Sequence, residues 1–182
     1  MKETLRLVWA HFAGQTPAML RRAFLIISGL ALLVLVSGFF IRRFASEDQR
    51  IAWLVADVAE GFNATRMRPV IRAFADDYVD EGSGTTRDRV RDILRHLYFR
   101  EIDPTSKRFR FRVEIPADEL TIELPEGEPQ RAMLGLHAIF YCLEQGAEVV
   151  YWDARIRAEL EERDGSWKFV RTFDVNHADR RE

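Results

Sequence analysis

The chain has 182 residues, enough for one domain of ordinary size and one short further element. Hydrophobic residues make up 47% and charged residues 31%, which excludes a disordered chain. The 27 basic and 29 acidic side chains give a formal charge of -2, so net charge offers no argument for nucleic-acid binding, and the single cysteine, Cys142, excludes an intrachain disulfide.

Residues 1–22 read as a leader. Leu5, Val8, Trp9 and Phe12 fall at i, i+3, i+4 and i+7, one face of a helix, with Lys2 and Arg6 beside it. That pattern predicts a short interfacial helix with Trp9 at the headgroup boundary. A solvated, frayed leader is the plain alternative. Gly14 interrupts the pattern, and Thr16-Pro17 reads as an N-cap followed by Pro at the first helical position.

Residues 23–41, AFLIISGLALLVLVSGFFI, contain no charged side chain. As a helix they span about 28 Å, close to the hydrocarbon thickness of a bilayer. Arg21 and Arg22 bound the run on one side, Arg42 and Arg43 on the other, and such chains snorkel to headgroups. A buried core helix would carry a polar face, and a cleaved signal peptide would have small residues after its apolar run; here Phe39-Phe40-Ile41-Arg42-Arg43 follows. The reading is a single transmembrane helix. Lys2, Arg6, Arg21 and Arg22 before it nearly balance Arg42, Arg43 and Arg50 after it, leaning to a cytoplasmic N-terminus with the domain on the outer face.

Residues 42–46 form a linker and residues 47–176 a domain, followed by a charged tail over 177–182. Ser46 with Gln49 is a capping-box pattern, opening a helix with Ile51, Leu54, Val55, Val58 and Phe62 on one face. A second helix is predicted to carry Met67, Val70, Ile71, Phe74 and Tyr78, and to stop near Gly82-Ser83-Gly84. A third places Val90, Ile93, Leu94 and Leu97 inward. The period then changes to 2. Phe109, Phe111, Val113 and Ile115 alternate with charged residues, as do Leu120, Ile122 and Leu124. Arg131 to Leu143 is apolar on both faces, as a central strand would be. Val150 to Glu161 alternates again, Asp164-Gly165 signals a hairpin, and Trp167, Phe169, Phe173 and Val175 complete a last strand. The fold class is α+β, three helices packed on a curved antiparallel sheet.

The segment Ala73-Phe74-Ala75-Asp76-Asp77-Tyr78, the following glycine turn and third helix, and the long strands ending in Asp164-Gly165 and Ser166-Trp167-Lys168-Phe169 resemble the NTF2-like superfamily, the fold of ketosteroid isomerase and scytalone dehydratase. The resemblance covers about Glu47 to Asn176. It implies a concave sheet face covered by helices, often enclosing a pocket, and it implies no single activity, since the fold hosts enzymes, binding modules and assembly domains.

An isomerase or dehydratase on this fold needs a base and an oxyanion donor. His137 and Tyr141 lie four apart on one strand and share a face. They are the weak catalytic candidates and, with Tyr78, the expected pocket residues; packed residues with one hydrogen bond each are the plainer reading. No metal site is expected, because the four histidines are scattered without ligand spacing, and no cofactor signature occurs. Arg108, Arg110, Arg112, Arg155 and Arg157 are expected on the outer sheet face, either in cross-strand ion pairs or as a docking patch for an acidic partner or anionic headgroups. Such a charged lattice argues against a homodimer built through a hydrophobic outer face. The functional expectation is a non-catalytic domain tethered to the bilayer through residues 23–41, binding a partner protein or a small apolar ligand, by itself or as part of a membrane complex. The alternative is an isomerase- or dehydratase-type enzyme acting on an apolar substrate in the pocket.

Overall fold

The computed structural model describes residues 26–28, 45–103 and 105–177. The chain divides into two units, Met1–Ala45 and Ser46–Glu182, and the globular fold belongs to the second. Of the predicted span 23–41, residues 26–28 are described, as helix; the rest of it, the leader 1–22 and residues 42–44 and 178–182 lie outside the described residues. No helix among the described residues is long and apolar enough to cross a membrane.

Helix α1 (Glu47–Asn63) begins at the capping box: Ser46 Oγ accepts from the Gln49 amide, and Gln49 Oε1 accepts from the Ser46 amide, each at 3.3 Å. Ile51, Val55 and Phe62 are buried on its inner stripe. Its first turn is tied to the far end of the sheet. Arg50 pairs with Glu47 at 2.7 Å and Glu162 at 2.5 Å, and Trp167 Nε1 donates to Glu47 at 2.7 Å.

The second predicted helix is shorter than its pattern indicated. Helix α2 (Met67–Arg72) stops at Arg72, and Phe74–Asp80 is strand β1. Phe74 and Tyr78 are four residues apart, a spacing that returns to the same face in a helix and in a strand alike. Pairing decides between them. β1 runs parallel to the last strand, with Phe74 opposite Phe169 and Asp80 opposite Thr172, and Phe169 N donates to the Ala73 carbonyl at 2.8 Å. Helix α3 (Arg87–Arg100) buries Leu94 and half-buries Val90 and Leu97, whereas Ile93, expected inward, is 42% exposed.

The remaining strands are β2 (Phe111–Glu114), β3 (Thr121–Glu123), β4 (Arg131–Glu144), β5 (Ala147–Arg163) and β6 (Ser166–His177). The sheet order is β1-β6-β5-β4-β2, with β3 also paired to β4. It is therefore mixed rather than wholly antiparallel, because β1 joins from between the helices. The first predicted strand is trimmed as well: Phe109 makes an isolated bridge to Ile102, and Arg108 and Arg110 precede β2. Asp164 and Gly165 both take positive φ, 54° and 72°, the conformation a two-residue hairpin demands. On β4 the even positions Ala132, Leu134, Leu136, Ala138 and Cys142 are buried against the helices, and the odd positions face the other way. Bulges interrupt the ladder at Phe140/Tyr141 and at Glu159/Leu160, where they bend the sheet over the helices.

Candidate ligand cavity

The helices do not fill the concave face. A cavity of about 320 Å³ remains between α1, β1 and the sheet. Helical spacing on α1 supplies Val55, Val58, Ala59 and Phe62 as one wall. The floor is the inward set of the sheet: Leu136, Ala138 and Phe140 of β4, Ile156 and Ala158 of β5, Phe169 and Thr172 of β6. Ala138 and Ala158 set small side chains among larger neighbours on this floor. The volume falls at the lower end of the range typical of small-molecule sites.

Four polar residues interrupt the apolar lining: Tyr78, Asp80, Thr85 and Thr172. Tyr78 and Asp80 are two apart on β1, and Thr172 stands opposite Asp80 in register. The Tyr78 hydroxyl and Thr172 Oγ1 are 2.7 Å apart, and both residues are buried. Burial pushes the Tyr78 phenol above its usual range; the Thr172 hydrogen bond opposes that shift, and the Asp80 charge adds to it.

Asp80 is held by the tight loop that follows it. Its amide donates to the Thr85 carbonyl at 2.9 Å, and its carbonyl accepts from the Gly84 amide at 2.7 Å, with Gly84 at φ 68° where only glycine sits without strain. Carboxylate Oδ2 accepts from the Ser83 amide at 3.1 Å and from the Ser83 hydroxyl. Oδ1 is buried and has no hydrogen-bond partner. Asp80 lines the cavity, so a ligand donor that reaches its carboxylate meets an acceptor left unpaired.

Among the predicted pocket residues, Tyr78 lines the cavity. His137 and Tyr141 do not, and their expected place in it is corrected. Both occupy odd positions of β4, on the face turned away from the helices. There His137 Nε2 lies 2.5 Å from Asp153 Oδ1, and Nδ1 lies 2.8 Å from Glu119 Oε2, an ionic contact poorly aligned for a hydrogen bond. The hydrogen bond to Asp153 raises the imidazole pKa, and burial opposes it. Tyr141 carries the Arg112 guanidinium over its ring at 4.3 Å.

The predicted arginine surface is only partly assembled. Arg112, Arg155 and Arg157 share the outer face, since Arg112 pairs with Tyr141, Arg155 with His137 and Arg157 with Gly135. Arg112 is engaged by Glu148 at 3.0 Å and Glu114 at 3.1 Å. Arg110 turns to the Leu143 carbonyl at 3.3 Å and to Glu101 at 3.6 Å, and Arg108 sits in the turn before β2. Cross-strand ion pairs continue along this face, as in Arg131 with Glu161 at 3.4 Å.

No group of metal ligands forms among the described residues. Cys142 is buried, and burial raises its thiol pKa. Tyr98 has a buried hydroxyl without a partner, and burial pushes its pKa up to about 12. It packs against Phe62 and Phe109, outside the cavity lining. The residues that sequence reasoning missed are Asp80, Thr85 and Thr172. Asp80 and Thr85 were hidden by the helical reading of this stretch. Thr172 was hidden by alternation itself: counting from Trp167 and Phe169 puts it on the outward side with Lys168, and the bulge between Phe169 and Arg171 turns it inward.

No protein-family model matches the chain, and no curated protein matches it. Solved structures do. A Mycobacterium tuberculosis protein of unknown function is 16% identical with a TM-score of 0.59, over 72% of this chain and 76% of its own. A candidate scytalone dehydratase from Novosphingobium aromaticivorans is 13% identical with a TM-score of 0.58, over 72% of this chain and 84% of its own. An NTF2-like protein with a cystatin-like fold from the same organism is 14% identical with a TM-score of 0.55, over 76% of this chain and 85% of its own. At these identities the likeness is one of fold: the domain has an NTF2-like, cystatin-like α+β fold.

Proposed function

We propose that the domain binds a small, predominantly apolar molecule in the cavity between α1 and the sheet, and that the apolar segment 23–41 holds it at a bilayer. The observation that carries the reading is the lining itself, apolar among the described residues except for Tyr78 and Asp80 of β1, Thr85 of the loop after it and Thr172 of β6. The membrane tether rests on the uncharged run and its flanking arginines. Tethering suits a binder of apolar molecules, because such molecules concentrate in the lipid beside it. A partner protein docked on the outer face is less well supported, since much of that face satisfies its own charges.

The test is fluorescence of the neutral probe phenylnaphthylamine with the full-length chain and with its Ala138→Phe variant, which places a ring in the cavity. Enhanced fluorescence with the wild type and its loss in the variant is the expected result. Equal signals from the two would remove the cavity as the binding site.

A second reading keeps the same cavity and adds proton transfer. The unpartnered Asp80 Oδ1 and the Tyr78 hydroxyl would serve as base and donor next to a carbonyl. Turnover of an apolar enone or hydroxyketone, lost in Asp80→Asn, would favour it; binding without turnover favours the non-catalytic reading.

A further inference from the structure

Among the described residues, the cavity's lining contains one acidic side chain, Asp80, and no Arg, Lys or His. None of the ion pairs among the described residues engages Asp80. The basic residues nearest it in sequence and pairing are committed elsewhere: Arg87 to Asp76 and Arg171 to Glu81. One carboxylate oxygen is already satisfied by Ser83, and the other, Oδ1, is buried without a partner. A carboxylate in an apolar cavity with no cation to balance it selects ligands by charge. It rewards a donor, rewards a cationic donor most, and penalises an anion that must be desolvated beside it.

We infer that the ligand of this cavity is an apolar molecule bearing an amine, bound with its ammonium group at the Asp80 carboxylate, and that fatty acids and other apolar carboxylates are excluded. The inference rests on the small-ligand reading above and names the chemical class it accepts. Thr172 and Tyr78 fit this assignment. Their hydroxyls share one hydrogen bond at 2.7 Å, so each has a partner, whereas Asp80 Oδ1 is the buried side-chain atom of the described lining that has none. Apart from Thr85, whose hydroxyl accepts from Ser83 at 2.6 Å, the rest of the described lining offers the ligand's body hydrocarbon and aromatic surface.

Four probes with one skeleton separate the possibilities: naphthylmethylamine, naphthylmethanol, methylnaphthalene and naphthoic acid. Each is titrated at neutral pH against the full-length chain and its Asp80→Asn variant, so that partitioning into carrier lipid or detergent cancels in the comparison. At neutral pH the amine is an ammonium ion and the acid a carboxylate. The wild type is expected to bind the amine about ten-fold or more tighter than methylnaphthalene, with the alcohol between them and the acid weakest. Asp80→Asn is expected to erase that order while retaining methylnaphthalene. The order within the wild type, with each affinity corrected for the probe's partition measured in carrier alone, is read without the variant, so a folding defect in Asp80→Asn leaves the test intact. Naphthoic acid binding as tightly as the amine, or no preference among the four, overturns the inference and leaves the cavity a binding site. Failure of all four, methylnaphthalene included, overturns the small-ligand reading and this inference with it.

Discussion

His137 and Asp153 are diagonal neighbours across β4 and β5, with Nε2 2.5 Å from Oδ1, on the sheet face turned away from the cavity. Diagonal pairs on one face act across the ladder much as i,i+4 pairs act along a helix. The Asp153 hydrogen bond raises the His137 pKa from its ordinary 6.5, and the Glu119 charge adds to the effect. A histidine whose pKa is raised on folding contributes stability that is fully present below the unfolded value. That contribution is lost as pH rises through the folded value. The stability difference between wild type and Asp153→Asn is therefore expected to be larger below pH 6.5 than well above it. Urea unfolding at the two pH values, with an NMR titration of the ring, checks this. A difference that does not depend on pH would remove the ion pair from the account.

Tyr78 and Thr172 should behave as a coupled pair. Removing either hydroxyl strands the other in a buried site, which costs about 1–2 kcal/mol for each of Tyr78→Phe and Thr172→Val. Removing both strands neither. The double variant is expected to fall short of the sum by about 0.5–1.5 kcal/mol in a denaturation cycle. Strict additivity would mean that the two hydroxyls do not depend on one another.

Gly61 closes the approach of α1 to α2. A methyl group there would lie 2.9 Å from Pro69 Cγ and 3.1 Å from Val70 Cγ2, too close without movement. The rigid proline ring cannot swing aside. Alanine gains about 1 kcal/mol of helix propensity over glycine, and overpacking costs about 1–3 kcal/mol. Gly61→Ala is expected to destabilise the domain by about 1 kcal/mol, and pairing it with Pro69→Ala should return part of the loss. A stabilised Gly61→Ala would show that α2 yields more easily than its packing implies.

Strands β4 to β6, their Asp164-Gly165 turn and the Ser46 capping box were legible because each carries a local signal that tertiary structure need not overrule. β1 was not. Phe74 and Tyr78 satisfy both periods, and the partner that makes the segment a strand, β6, lies some ninety residues downstream, between Phe169 and Thr172. The misplaced pocket residues have a different cause. Alternation put His137 and Tyr141 on one face of β4 but left open which face is inward. The odd set begins with Arg131 and includes His137, whereas Ala132, Leu134, Leu136, Ala138 and Phe140 are apolar throughout. That contrast is the signal that could have turned His137 outward. No sequence pattern could have brought Asp80 to Thr172, since that needs the parallel pairing itself.

The two faces of β4 lead to opposite expectations for substitutions one residue apart. Ala138 lines the cavity and is 2% exposed, while His137 stands on the other face with its side chain against Asp153 and Glu119. In a close-packed core, small-to-large changes cost about 1–3 kcal/mol. Here the added ring enters a space of about 320 Å³, so Ala138→Phe is expected to cost less than that range. It is expected to weaken phenylnaphthylamine binding by about ten-fold or more by removing the volume that the probe occupies. His137→Gln and Tyr141→Phe are expected to leave that binding within about two-fold, because neither side chain reaches the cavity. Thermal unfolding and probe titration on the same three variants make the comparison. Loss of binding in His137→Gln with retention in Ala138→Phe would place the ligand on the outer face of the sheet and reverse the assignment of the two faces.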